Sequence, residues 1–581
     1  MKSISVKNFR SIKESGNIEF PKLTLLLGEN SIGKSSFLRM FPLLKQSISH
    51  SRTEPILWYT PDYVDFGSYN ETRSHGTKGS SGIEFDFELE FNKNFLTQVD
   101  QLGRFINTLF RSKLENEDDF ELYTSLKKDN EIQEYFNKYN PSKKNNAISL
   151  NVAIKVFSKS VTYTISVLDH NVSIKHHFNE NDAHKDVVTI DKVNIGNYFN
   201  FKLIPLESKQ LIPEIDLLNI VMNSDSTNDE SLSRQSNKEI VSSLLFGTTN
   251  KDIETENNEV PARMLSDFDF IPFRSIKEQI DYIRHTLSID KKIEKTFKNQ
   301  EEKKGMTYFD FRRQLFSSYA VTLRKIKNNF SEKKFATFSL AAQLNDLIQL
   351  INNDLTDSLY NLSYATPVRA NAERHYRNQS LSIDSVTPNG ENVPTILKNL
   401  KENHRKEFDH WQKWTNTSLG IVFDIVSDTS MSSISVQQSG QNSYNLADTG
   451  FGYSQMLPII LNLWLHKDDS VESYKTKNKQ LALFEQPELH LHPRMQADLM
   501  HAIASIAANS KNTGLIMETH SEYMVKQLGH DIAHGILKPN DVQILIFNSE
   551  NGVAKISKAT FLENGSLSNW PTGFFQPEYG V

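Results

Sequence analysis

Cysteine is absent from this 581-residue chain. That excludes disulfides, zinc held by thiolates and cysteine nucleophiles, and it fits a reducing compartment. A basic surplus is missing as well: 65 Lys and Arg against 71 Asp and Glu leave a net charge of -6. Any contact with nucleic acid is therefore expected to be local and sensitive to salt. Long apolar runs are also lacking. Met1 to Asn8 has no signal-like apolar core, and the longest greasy run, Met456 to Leu465, is too short to span a bilayer. The expectation is a cytoplasmic protein with no membrane contact. No heptad register runs far enough to build coiled-coil arms, and no repeat of a few tens of residues is visible. The 17 histidines are scattered apart from His490 and His492, and no nuclease, protease or metal-hydrolase constellation stands out. What is present is 38% hydrophobic and 23% charged residues, the balance of a soluble globular chain with room for several cores.

One stretch organises the rest. Gly28-Glu29-Asn30-Ser31-Ile32-Gly33-Lys34-Ser35 fits G-x-x-x-x-G-K-[ST], preceded by the buried-strand pattern Leu23 to Leu27 and followed by a helix opening at Ser36 to Phe41. The glycines let backbone N–H groups curl around phosphate oxygens, the helix aims its positive end at the same anion, and Lys34 adds a full charge. Ser35 would offer its hydroxyl to Mg²⁺. The loop is expected to hold a nucleoside triphosphate through Gly28, Asn30, Gly33, Lys34, Ser35 and Ser36.

Around it, Ser3 to Phe9 and Gly16 to Phe20 alternate as strands do, with Asn8 to Ser11 as either a basic contact to the nucleotide or an exposed turn. Gly82 to Phe91 is a strand with one buried side. Residues 95 to 147 turn polar and helical, and Val152 to Val156 and Val161 to Val167 read as a hairpin around Ser158 to Ser160. Asn223 to Val260 reads as a long mobile loop with one short helix at Ile240 to Leu245. Residues 272 to 360 read as helices; Lys291 to Lys304 and Arg324 to Lys334 are candidates for a basic contact surface, although the acids mixed into both suit solvated helix faces.

A second island lies far downstream. Gln480 to Glu485 is a short apolar strand ending in a carboxylate, the arrangement that holds a Mg²⁺-bound water beside a phosphate loop. Gln486-Pro487-Glu488-Leu489-His490-Leu491-His492-Pro493 follows, then an amphipathic helix with Met495, Leu499, Ile503 and Ile506 on one side. The strand Gly514 to Thr519 carries His520-Ser521 at its carboxyl end, where open α/β sheets bind ligands. Upstream, Asp448 to Gln455 precedes the apolar helix Met456 to Leu465; its small residues make an anion site suited to capping a neighbouring subunit's nucleotide, so Ser454 is a further nucleotide candidate.

The ordered set GENSIGKS, DTGFGYSQ, LALFEQPELHLHP and METHS resembles the ATPase of the ATP-binding-cassette superfamily in its RecF, chromosome-maintenance (SMC) and OLD branch. Asn569 to Phe575 resembles the W-P-x-G-F-F tail of a prokaryotic subgroup, and Thr366 to Arg369 with Pro388 to Asn392 match more loosely. The resemblance implies an α/β fold: an ABC-type head, with a P-loop and a mixed sheet flanked by helices, interrupted by a large mostly helical insertion. It implies ATP and Mg²⁺ as ligands, Lys34 and Ser35 as Walker A, Asp65 to Ser68 near the Q-loop, Ser454 in the signature, Glu485 as the Walker B acid with Ser35 on the metal, and His520 as the switch histidine. The corresponding division is 1–92 for the N-terminal ATPase lobe, 93–205 for a mixed insertion, 206–360 for a mostly helical insertion, 361–520 for the C-terminal ATPase lobe and 521–581 for its tail.

The residue after the Walker B acid is Gln486, where transporter-like relatives have a glutamate. An amide orients water but cannot take its proton, so either Glu488 or His520 supplies the missing polarity, or hydrolysis is slow. The preferred expectation is slow turnover, with Glu488 as auxiliary base. Only 61 residues follow His520, too few for a Toprim nuclease of the OLD or Gabija type, and Asp267-Phe268-Asp269 reads as a turn. Two functions follow. One is a nucleotide-dependent sensor and switch in antiphage defence or DNA maintenance, working as a homodimer or higher oligomer with ATP-bridged heads. It would control a separate effector such as the HNH nuclease of Septu-like systems, and nucleic acid could be its trigger. The alternative is an ATP-locked scaffold that sequesters a toxin with little hydrolysis.

Overall fold

A computed structural model describes residues 1–77, 81–92, 147–167, 170–178, 185–197, 199–220, 344–379, 385–466, 480–510, 513–550 and 552–570. The expected loop at 223–260, the basic clusters at 291–304 and 324–334, Asp267 to Asp269 and most of the W-P-x-G-F-F tail lie outside these residues, as do the expected helices of 95–146.

The fold is of the α/β class, built on one large mixed sheet that has 16 strands among the described residues. Its parallel half runs, in spatial order, Val542–Glu550, Leu23–Gly28, Thr513–Glu518, Gln480–Glu485 and Ser363–Ala365. These strands are buried on both faces, which is why they read as continuous apolar runs rather than alternations. Their side chains still sort by parity. Leu23, Leu25, Leu27, Ala482, Phe484, Leu515 and Met517 enter one core with the helices Phe451–Leu465, Pro493–Asn509 and Glu522–Ala533. Leu26, Leu481, Leu483 and Ile516 enter the other, under the helices Lys34–Ser49 and Leu344–Tyr360. Phe37, Phe41, Leu44 and Ile48 recur at helical spacing and give Lys34–Ser49 its buried stripe.

The antiparallel half begins at Ser3–Phe9, which pairs Ile83–Asn92, and continues as a meander through Ala147–Val156, Ser160–Val167, His170–His177 and Val187–Ile190. The expected hairpin is therefore part of the main sheet, extending it outward. Ile83, Phe85, Phe87 and Leu89 face the core, while Glu84, Asp86 and Glu88 face outward beside Lys7, Ser5 and Lys2.

Two features departed from the strand pattern. Gly16 to Phe20 contributes only Ile18–Glu19, because Gly16 sits at φ +68° and turns the chain. The C-terminal stretch carries a second strand, Val553–Phe561, folded back on Val542–Glu550. Ile12 of the strand Ile12–Glu14 pairs Ala554 there, so the end of the described chain stitches the antiparallel half to the phosphate-loop strand. Asp65 to Asn70 is a loop that closes into a helical turn, Tyr69–Thr72, through a reciprocal Ser68–Glu71 capping box.

Candidate functional site: the carboxyl ends of the parallel strands

The parallel register brings Gly28, Glu518 and Glu485 to the same end of three neighbouring strands: Leu26 lies opposite Glu518, and Glu518 opposite Glu485. Residues from both ends of the sequence thus meet at one sheet edge, where backbone ends and a helix N-terminus are available to a ligand.

The loop from Gly28 to Ser35 has the backbone that phosphate binding requires. Gly28 lies at φ +143°, and a Cβ there would stand 2.2 Å from the Phe547 carbonyl oxygen; Gly33 lies at φ +117°, with a Cβ 2.4 Å from Ser11 Oγ. Both positions exclude a side chain. Ser11 braces the loop, donating to the Ile32 carbonyl at 2.9 Å, so the turn after Asn8 has a structural role. Arg10 turns to the other side, donating to the Phe66 carbonyl at 3.3 Å and lying over the Phe66 ring. Lys34 Nζ bonds the Gly28 carbonyl at 3.0 Å and also that of Glu29. Burial pushes its pKa down, opposed by Glu518 and Glu29. Asn30 is exposed on the loop, and Ser36 is half-buried in the first helical turn.

The two residues expected to share Mg²⁺ are not joined to each other. The strand Thr513–Glu518 lies between theirs, and its terminal Glu518 takes the Ser35 hydroxyl at 3.0 Å. Glu485 is gripped instead by Arg39, from Nε at 2.7 Å and Nη2 at 2.8 Å, and by the Tyr364 hydroxyl at 2.6 Å. Glu485 and Glu518 are both nearly inaccessible, each 2% exposed. Burial raises the Glu518 pKa, with Glu485 adding to the effect. The donor set of hydroxyl and carboxylates is chemically suited to Mg²⁺, and among the described residues the buried Glu518 Oε2 has no hydrogen-bond partner.

Gln486 adopts φ +43°, and its N–H donates to the Glu518 carbonyl at 2.9 Å, locking the turn after the strand. Glu488 is buried, and its Oε1 accepts the His520 N–H at 2.7 Å. Burial raises its pKa. His520 sits at the strand end with Nε2 4.0 Å from Glu518 Oε1, and burial followed by the charge of Lys34 lowers its pKa, keeping the imidazole neutral near pH 7. His492 caps the helix Pro493–Asn509, its Nδ1 accepting the Arg494 N–H. Ser454 is buried, its hydroxyl donating to the Phe451 carbonyl at 2.9 Å, and among the described residues no hydrogen bond ties it to the phosphate loop. Phe451 beside it is exposed.

Sequence reasoning missed Glu518, Arg39, Tyr364 and Arg369 as site residues. Arg369 is buried; it donates to the Glu485 carbonyl at 2.9 Å, while its own backbone exchanges two 3.2 Å hydrogen bonds with the Gln455 side chain. Burial pushes its pKa down to about 10. The loosely matching loops Thr366 to Arg369 and Pro388 to Asn392 are brought together here, Thr366 N–H bonding the Pro388 carbonyl at 2.9 Å. Their pairing was the available signal: an arginine in a segment already noted for its match.

Residues 1–525 match the family described as the AAA ATPase domain. The chain belongs to that family. It is an ATPase of that family, and nucleotide is its ligand class. No curated protein matches the chain. Solved structures similar to this ATPase include the Smc head domain with an extended coiled coil bound to the C-terminal domain of ScpA from Pyrococcus furiosus, at 10% identity, TM-score 0.32, covering 96% of each chain. Another is the SMC head domain from Thermotoga maritima, at 8% identity and TM-score 0.31, covering 96% of this chain and 97% of that one. Among the described residues of this ATPase, no helix is long and apolar enough to cross a membrane.

Proposed function

We propose that this ATPase binds Mg·ATP through Gly28, Asn30, Gly33, Lys34, Ser35 and Ser36, hydrolyses it slowly, and uses the bound state as a switch. The supporting observation is the convergence of Lys34 and Ser35 with Glu485, Glu518 and His520 at one sheet edge. Lys34 and the loop N–H groups would bind the phosphates, and neutral His520 would hydrogen-bond the terminal one. Mg²⁺, when bound, would neutralise phosphate charge beside Ser35 and the strand-end carboxylates.

Slow turnover is favoured by the residues around the attacking position. Gln486 cannot accept a proton, and Glu488 already holds the His520 backbone. Through Oε1 Glu488 positions His520, while Oε2, without a hydrogen-bond partner among the described residues, leaves Glu488 available as the auxiliary base. The exposed Phe451 at the N-terminus of the signature helix suits it to face a second head across nucleotide, giving a homodimer or larger assembly. Such a switch would control a separate effector, a nuclease or toxin, in antiphage defence or DNA maintenance. Gln486 also favours the second reading, an ATP-locked scaffold in which hydrolysis is incidental.

Steady-state phosphate release, with and without DNA, tests these readings. Lys34→Ala is expected to abolish nucleotide binding and release. Gln486→Glu is expected to raise turnover about 10- to 100-fold by restoring a general base. Turnover in the wild type that already matches Gln486→Glu would sink slow hydrolysis, and turnover too low to measure in both proteins would favour the scaffold.

A further inference from the structure

Resting on the ATP-binding reading, we infer that Arg39 and Tyr364 are positioning residues for that reaction: they fix the Glu485 carboxylate so that one acceptor position, on Oε2, is left to hold a water bound to Mg²⁺. The first observation is how the two oxygens are occupied. Oε1 accepts from Arg39 Nε at 2.7 Å and from the Tyr364 hydroxyl at 2.6 Å, and Oε2 accepts from Arg39 Nη2 at 2.8 Å. An ionised carboxylate offers about four acceptor positions, two on each oxygen. Oε1 is therefore filled, and among the described residues Oε2 keeps one position open.

The second observation is a match of spacings. Ser35 and Arg39 stand four residues apart in the helix Lys34–Ser49, so they share a face with side-chain bases about 6 Å apart. Glu518 and Glu485 lie opposite each other at the ends of neighbouring strands, about 4.8 Å apart. The helix face meets the strand ends pair by pair: Ser35 donates to Glu518 at 3.0 Å, and Arg39 grips Glu485. One rigid element thus presents its N-terminus to the phosphates and aims the acid. Because Thr513–Glu518 lies between Gln480–Glu485 and the phosphate-loop strand, Glu485 stands back by one strand spacing, which suits contact through one of the waters that Mg²⁺ retains. The third observation is the shape of the grip. A guanidinium fork fixes the plane of the carboxylate as well as its charge, and Tyr364, from the strand Ser363–Ala365 on the far side of Gln480–Glu485, closes Oε1. A lysine at position 39 would supply charge without the plane.

The discriminating measurement is the affinity of the full chain for a fluorescent non-hydrolysable ATP analogue, taken in Mg²⁺ and in EDTA, with Mn²⁺ uptake followed by electron paramagnetic resonance. In the wild type, Mg²⁺ is expected to tighten binding. Arg39→Met should lose about 10-fold or more of that gain and weaken analogue-dependent Mn²⁺ uptake, while its EDTA affinity stays near wild type. Tyr364→Phe, which removes one hydrogen bond, should lose about 2- to 5-fold. Arg39→Met combined with Glu485→Gln should lose no more than Glu485→Gln alone, because the guanidinium acts through that carboxylate. A metal gain that survives Arg39→Met while the urea midpoint falls would mean that Arg39 only neutralises a buried acid, and overturns the inference. A larger gain in Arg39→Met would mark Arg39 as a lock on Glu485, and losses that multiply in the double variant would place its action elsewhere; either result overturns it too. Should Arg39→Met fail to fold, Arg39→Lys carries the test: a partial loss of the metal gain is expected, and a full gain overturns the role of the fork. A wild type that binds no analogue in either condition refutes the nucleotide reading itself, a result distinct from a misassigned arginine.

Discussion

The two halves of the sheet use carboxylates in opposite ways. In the antiparallel half, Glu84, Asp86 and Glu88 project from alternate positions onto a wet face, where Lys7 and Lys155 reach Glu84 at 2.9 and 3.2 Å and Lys2 reaches Glu88 at 3.1 Å. Such pairs are solvated and interchangeable, each contributing up to about 1 kcal/mol. In the parallel half both faces are covered, so acids occur only where strands end, and there Glu485 and Glu518 are buried. Burying a charge is costly, and a chain keeps such a group where a partner or ligand compensates it. Glu485 and Glu518 are thus buried carboxylates in a sheet where other acids, Glu550 at the end of Val542–Glu550 included, pair with lysines toward solvent.

The contrast breaks most severely at Gly28. Gly28→Ala forces a Cβ against the Phe547 carbonyl at a φ that L-residues rarely adopt, and should cost about 3 kcal/mol or more, read as a fall in the urea midpoint or loss of soluble protein. Next is Arg39→Met, which leaves Glu485 buried without its guanidinium. Because the Arg39 side chain is 43% exposed, the expected loss is about 2 kcal/mol, below that of a fully buried pair. A double variant with Glu485→Gln should recover part of it; no recovery would mean that Arg39 acts by packing. Tyr364→Phe removes one hydroxyl from the same carboxylate and should cost about 1 to 1.5 kcal/mol by chemical denaturation.

Lys7→Met on the wet face should change stability by less than about 1 kcal/mol, and its signature is pH dependence. Burial raises the Glu84 pKa, but Lys7 and Lys155 outweigh it and hold the group below its usual 4.5. A carboxylate depressed in the folded state contributes stability above its unfolded value and loses it as pH falls through the folded one. Lys7→Met should therefore flatten the loss of stability below about pH 4.5. A Lys7 variant as damaging as Arg39→Met would erase the distinction between the halves.

Legibility followed the range of the physical signal. The strand Ile83–Asn92 announced itself by alternation, the helix Pro493–Asn509 by Leu499, Ile503 and Ile506, and the phosphate loop by glycines that geometry shows to be obligatory. Each is encoded within a dozen or so neighbouring residues. The hairpin partner Val553–Phe561 was missed because VAKISKATF alternates weakly and carries two lysines. Glu518 was visible as the last residue of an apolar strand, but nothing local said that it would meet Ser35, 483 residues away.

By itself, the sequence determined the chemistry on offer: a loop that only glycines can form, a lysine and serine at a helix start, acids and a histidine at strand ends, and an amide where a base is usual. Only the tertiary structure decided which acid stands next to the serine hydroxyl and which is held by arginine. Strand order is the physical reason. The order in which strands lie side by side is set by burial and backbone pairing summed over the whole sheet, and a single inserted neighbour moves a carboxylate across the site without changing any motif.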